Sequence, residues 1–274
     1  MMEPLVKQHY ASPDLAQRIR AGILKMGKNP DDLATRDLAA VDQLHTGGAP
    51  ATIGLTERAA LPSGSIVLDA GCGIGGSSRL LAEHFGYRVE GIDLAGDFID
   101  TAVLLTQWCG LDGGIRFRRG SVLDLPFEGG CFDAVLCQHI LMNIEDKSGA
   151  LAEFHRVLQP GGRLLLHEIT RGEGPEPAMP VPWASDPAIS VLTPWSDLDH
   201  RLSRAGFQPD HVSDETEHSA AWWKMVNTVK RKKGAGPLNP GLVFGEDADR
   251  FGPNMEKNFS SRSVCCIEAI LTRP

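Results

Sequence analysis

Five short stretches of the chain are apolar through their middles: Ile66–Asp69, Arg88–Asp93, Ile115–Gly120, Phe132–Gln138 and Arg163–Glu168. Runs of this length, without strict alternation, fit strands covered on both faces. Between them lie Ser77–Phe85, Gly96–Gly110 and Lys147–Leu158, which read as helices. Alternation of this kind predicts an α/β fold built on a doubly wound, mostly parallel sheet. A helix over Trp195–Ala205, a strand over Phe207–Val212 and a last strand over Ser263–Thr272 extend the sheet to seven strands.

The first sixty residues carry a different pattern. Ser12-Pro13 reads as a helix start, with Leu15, Ile19 and Ile23 on one face and Gly27 at the stop. Asn29-Pro30 repeats the start signal, and Leu33, Leu38, Val41 and Leu44 follow at helical spacing. His45-Thr46-Gly47-Gly48 breaks the pattern before a third helix near Ala51–Ala60. Residues 1–60 are therefore expected to form an N-terminal helical cap, and 61–274 the main domain. The excursion 213–261, between two neighbouring strands, is expected to be a lid inserted before the last strand.

Composition narrows the class. The chain has 274 residues, and its net charge of −8 argues against a broad nucleic-acid surface, which needs a basic face. The one basic cluster, Lys230-Arg231-Lys232-Lys233, precedes Gly234 and reads first as the cationic end of a helix. No apolar run approaches the ~18 residues of a membrane span. The N-terminus shows no secretion signal. Six scattered cysteines without a CxxC pair predict neither a disulfide framework nor a metal site, and fit the reducing cytoplasm. The sequence leaves the oligomeric state open, a homodimer being one arrangement.

The chemistry concentrates at strand ends. Leu68-Asp69-Ala70-Gly71-Cys72-Gly73-Ile74-Gly75-Gly76 joins a strand to a helix through a glycine-rich turn, where backbone N–H groups meet a ligand closely. Gly71, Gly73 and Gly76 match GxGxxG, a pattern that dinucleotide-binding sheets share. Asp69 tilts the balance, since a carboxylate there orients an ammonium and repels a pyrophosphate. Asp93 ends the second strand, where an acid accepts both hydroxyls of a ribose. Further on come Asp124-Leu125-Pro126-Phe127, Phe132-Asp133-Ala134-Val135 and Leu158-Gln159-Pro160-Gly161-Gly162.

As an ordered set, these motifs resemble those of the class I S-adenosylmethionine (SAM) dependent methyltransferases. The likeness is to the small-molecule group around the ubiquinone/menaquinone C-methyltransferases and the sarcosine/dimethylglycine N-methyltransferases. It covers residues 61–168 strongly and implies a Rossmann-like fold and SAM as cofactor. It also implies that Asp69, Gly71, Cys72 and Gly73 hold the methionine part, that Asp93 holds the ribose with Leu94 beside the adenine, and that the Val122 N–H meets the adenine ring. Ser121 stands where the family often has Asp, a weaker partner for the adenine amino group. Gln138 falls where the family places a backbone carbonyl near the SAM ammonium. Gln43 and His45 belong to the segment that closes over the methionine end.

The expected reaction is methyl transfer to N, O or C of a small molecule by in-line displacement, a task of positioning and water exclusion. His139 is the leading candidate base and His45 the second. Each also has a plain reading, His139 as a buried pocket-shaping group and His45 as a helix C-terminal histidine. One of His167 and Glu168 is expected to face the cleft. Trp183, Trp195, Trp222 and Trp223 read either as a cage for a methylated ammonium or as the lid's own core. Alternatives are a quinone- or isoprenoid-like acceptor, a non-catalytic SAM-binding module and, least supported, an NAD-dependent dehydrogenase.

Overall fold

In the computed structural model, which describes residues 2–274, seven strands form one sheet. They are β1 (Ile66–Ala70), β2 (Arg88–Asp93), β3 (Ile115–Arg119), β4 (Phe132–Gln138), β5 (Leu158–Arg171), β6 (Gln208–Asp214) and β7 (Val264–Thr272). Their order across the sheet is β3-β2-β1-β4-β5-β7-β6. The first five pair in parallel, whereas β7 runs antiparallel to both β5 and β6. The doubly wound sheet expected from the alternation is therefore the sheet observed.

Helices α1 (Glu3–His9), α2 (Leu15–Lys25), α3 (Ala39–Asp42) and α4 (Gly48–Ala59) precede the sheet. α5 (Gly76–Phe85), α6 (Gly96–Trp108), α7 (Lys147–Val157) and α8 (Trp195–Arg204) alternate with the strands. Between β6 and β7 come α9 (Thr216–Lys233), the short α10 (Gly241–Phe244) and α11 (Ala248–Ser260).

Period-two alternation sorts the strand residues onto two faces. Leu68, Val135, Cys137, Leu164 and Leu166 pack with Leu151 and Phe154 of α7 and Leu198 and Leu202 of α8. Val67, Ala134, Leu136 and Leu165 pack with Leu55 of α4 and Leu81 of α5 on the other face. A separate cluster joins Leu15, Ile19 and Ile23 of α2 to Phe98 and Leu105 of α6.

The N-terminal region departs from the expectation in two places. Ser12 does not cap α2. Its N–H donates to Asp97 and its hydroxyl to the Val243 carbonyl, while Arg18 donates to that hydroxyl, so its polar groups serve tertiary contacts. The helix expected after Asn29-Pro30 is a single 3-10 turn over Thr35–Asp37 followed by the four-residue α3. Asp37 accepts from the Ala34 N–H and from Lys28, which ties the chain into that turn. Leu33, Leu38 and Val41 are nevertheless buried. β5 is also longer than expected, because its pairing with β4 jumps across the Pro160-Gly161-Gly162 turn.

Candidate functional site

The carboxyl ends of β1, β2 and β4 open onto one cavity. Asp69, Gly71, Cys72, Gly73, Asp93, Leu94, Ser121, Val122, Gln138, His45 and His139 all line it. Gln43 does not; it lines a neighbouring cavity and donates to Asp42.

The glycine turn is built by backbone geometry. Gly71 and Cys72 both donate N–H groups to the Ile92 carbonyl, which docks the turn on the end of β2. Gly71 has φ of +73°, and a Cβ there would lie 2.1 Å from Ile140 Cδ1, so both conformation and space require glycine. Gly73 donates to Asp93 Oδ2 at 2.9 Å, and Ala95 donates to Oδ1 at 2.9 Å. Asp93 is thus held rigidly at the cavity wall, each oxygen retaining acceptor capacity. Burial raises its pKa, against the opposing N–H donors.

Asp69 is buried and accepts the Ser78 hydroxyl at 2.5 Å. Burial is the chief cause that pushes its carboxyl from 3.8 up to about 6. Gln138 accepts the Thr52 and Ser77 hydroxyls on Oε1, each at 3.0 Å. Its Nε2 is buried with no partner, a free donor in the cavity wall. Ser121 is engaged inside the protein: it donates to Glu3 and accepts from the Leu123 N–H.

The histidines cluster. The His45 ring lies 6.1 Å from His139 and 6.2 Å from His167, and the last two are 4.9 Å apart. Burial keeps them uncharged, moving His45 down to about 4, His167 to about 3 and His139 well below its usual value. His45 Nε2 is already engaged by Thr52 and the Gly48 carbonyl. His139 Nε2 has no partner. His139 adopts φ of +55° in a turn held by Glu168, which accepts the Ile140 and Leu141 N–H groups at 2.8 and 3.0 Å. Glu168 therefore shapes the turn, and its carboxyl is raised to about 7 by burial.

A second cavity of about 410 Å³ adjoins the first, within the size range of small-ligand sites. Trp222, Trp223, Met225, Val226 and Val229 of α9 and Phe251 of α11 line it. Leu44, His45, His139, Pro182, Trp183 and Phe244 line both cavities and form the wall between them. Trp222 and Trp223 meet edge to face, and Trp223 donates to Thr46. Trp195 packs instead into the main core beside α7.

Several contributors carry no local sequence signal. Glu3 and Tyr10 reach the first cavity from the N-terminal segment, and Tyr10 donates to Asn143 at 3.2 Å. Arg79 and Asp42 form a wholly buried ion pair at 2.8 Å that ties the segment leading to Gln43 and His45 onto α5. Their partners are distant in sequence, so only the tertiary structure brings them together.

Residues 68–166 match the family model described as a methyltransferase domain. Phosphoethanolamine N-methyltransferase 3 of Arabidopsis thaliana is 31% identical over 195 residues, covering 69% of this chain and 38% of that protein. The 2-methyl-6-phytyl-1,4-hydroquinone methyltransferase of a Synechocystis strain is 34% identical over 137 residues, covering 50% of this chain and 42% of that one. Among solved structures, a Haemonchus contortus phosphoethanolamine N-methyltransferase 2 in complex with SAM superposes with a TM-score of 0.72 at 20% identity, covering 85% of this chain and 54% of that one. The chain spans about half or less of the length of the curated relatives it matches.

Proposed function

We propose that this chain, which carries a class I SAM-dependent methyltransferase domain, transfers a methyl group from SAM to a small-molecule acceptor. One observation carries the reading. The glycine turn after β1 and Asp93 at the end of β2 are hydrogen-bonded to each other and share a cavity with Asp69 and the unpartnered Gln138 amide.

This donor set fits SAM. Asp69 suits the amino group, Gln138 Nε2 the carboxylate, and Asp93 the two ribose hydroxyls. Gly71, Cys72 and Gly73 pass beneath the methionine part, and Leu94, Ser121 and Val122 flank the adenine. When bound, SAM supplies a methyl group already activated by its sulfonium charge.

The residues of the dividing wall then have a positioning task. His139 presents an uncharged ring to the space between the cavities and is the freer of the two candidate bases, since His45 Nε2 is engaged. The second cavity takes the acceptor, and its aromatic and aliphatic lining favours a molecule with an apolar body. A quinone- or isoprenoid-like acceptor is favoured by that same lining. Residues 1–60 act as a cap over the cofactor and 213–261 as a cover over the acceptor.

Calorimetry with SAM and NAD, followed by detection of S-adenosylhomocysteine across a panel of amines, phenols and quinols, tests the reading. SAM binding with turnover of at least one apolar acceptor is expected. Tighter binding of NAD, or no SAM binding, overturns it.

A further inference from the structure

Three metal-binding side chains meet beneath the wall between the cavities. His139 follows β4, His167 lies on β5 and Cys266 on β7; a ring nitrogen of each histidine and the cysteine sulfur all lie within 4.8 Å of one another. His167 Nε2 stands 3.1 Å from Cys266 Sγ. Sheet register makes the cluster. The His139 N–H donates to the His167 carbonyl at 2.9 Å, and Cys266 pairs with Ile169, two residues along β5 from His167. The protein serves these rings poorly. His139 Nε2 and His167 Nδ1 are shielded from solvent and meet no hydrogen-bond partner. Buried polar atoms normally find one, so these two rings keep unused ligand capacity beside the Cys266 thiol.

We propose that His139, His167 and Cys266 form a binding site for a divalent cation of the zinc class. Two imidazoles and a thiolate are the donors such an ion takes, whereas magnesium and calcium require oxygen. Tetrahedral zinc, with bonds of about 2.0–2.3 Å, needs donors roughly 3.3–3.7 Å apart, within a small side-chain adjustment of the separations seen. His45 is not a ligand, because its Nε2 is bonded to Thr52 and the Gly48 carbonyl. On binding, the Cys266 S–H bond breaks, its proton leaves to solvent, and the sulfur lone pair forms the bond to the metal. No electron is transferred. Three protein ligands leave a fourth position open. His139 lines both cavities, so the cluster adjoins the acceptor space. With the ion bound, His139 serves as a ligand in place of a base; use of the fourth position to hold an acceptor heteroatom rests on the methyl-transfer reading, and the binding of the ion does not.

The test is a cobalt(II) titration of the chelator-treated full chain. One equivalent should bind with a thiolate-to-cobalt charge-transfer band, releasing about one proton, and zinc should displace it. Cys266→Ser should abolish the band and weaken binding at least roughly tenfold, while the exposed Cys131→Ser should keep it. His167→Ala should weaken binding with the band shifted. The wild-type titration decides even if a variant fails to fold: no thiolate band at one equivalent overturns the site. A band that survives Cys266→Ser also overturns it. SAM calorimetry on the same samples reads the methyl-transfer proposal separately.

Discussion

Asp93 shows how much a single side chain carries. Its two oxygens are fixed by the Gly73 and Ala95 N–H groups, so its remaining acceptor sites are pre-aimed. Asp93→Ala should weaken SAM binding by about 1–3 kcal/mol in calorimetry, the scale of a lost hydrogen bond to a charged group. Asp69 adds a pH dependence. Its carboxyl titrates near 6 when folded and near 3.8 ordinarily, so between these values the folded chain binds more protons than the unfolded one. Stability of the ligand-free protein therefore falls as pH rises through that window, and Asp69→Asn should flatten this slope in denaturant melts. Binding of an amino-bearing ligand needs the ionised carboxylate. SAM affinity should accordingly drop below pH 6 by up to about tenfold per unit, a loss that calorimetry should not find in Asp69→Asn. The sequence showed Asp69 and Asp93 because both sit one step from a glycine turn or strand end. It did not show that Gln138 offers a side-chain donor, since that depends on Thr52 and Ser77 occupying its other end.

At the scale of elements, strand and helix periods were legible because burial on two faces leaves continuous apolar runs. The N-terminal helices were less so. Leu33, Leu38 and Val41 repeat at helical spacing and are buried, yet a side-chain-capped 3-10 turn replaces the helix there. Period alone does not distinguish a helix from short turns that bury the same residues. Besides this apolar packing, the Arg79–Asp42 pair, with both side chains wholly excluded from water, ties the region onto α5. Asp42→Ala leaves an uncompensated guanidinium and should cost about 3–5 kcal/mol in urea unfolding. Replacing both partners with apolar residues should recover much of that loss. Backbone crowding tightens the same joint: a Cβ on Gly76 would lie 2.3 Å from the Asp42 carbonyl oxygen.

Across the whole molecule, the site is a pair of chambers with a common wall. The first chamber was legible through its motifs; of the second, only the 213–261 excursion and Trp183, Trp222 and Trp223 were, because the rest of its lining, from Ala40 to Met255, follows no ordered pattern. The same limit hid the His139–His167–Cys266 cluster, whose members stand just after β4, on β5 and on β7. The division of labour between chambers is testable. Trp222 lines only the second, so Trp222→Ala should raise the acceptor KM severalfold in steady-state assays while leaving SAM affinity unchanged by calorimetry. A matching loss of SAM affinity would mean that the chambers are not separate.

The last strand in sequence is an interior strand of the sheet. β7 bridges β5 and β6, and Arg273 beyond it donates to the His155 and Arg156 carbonyls. During synthesis the sheet therefore stays split until residue 272 has left the ribosome, with an open edge on β5 that invites aggregation. A chain cut before Val264 would not lose a loose edge; it would lose the staple that joins β6 to the rest.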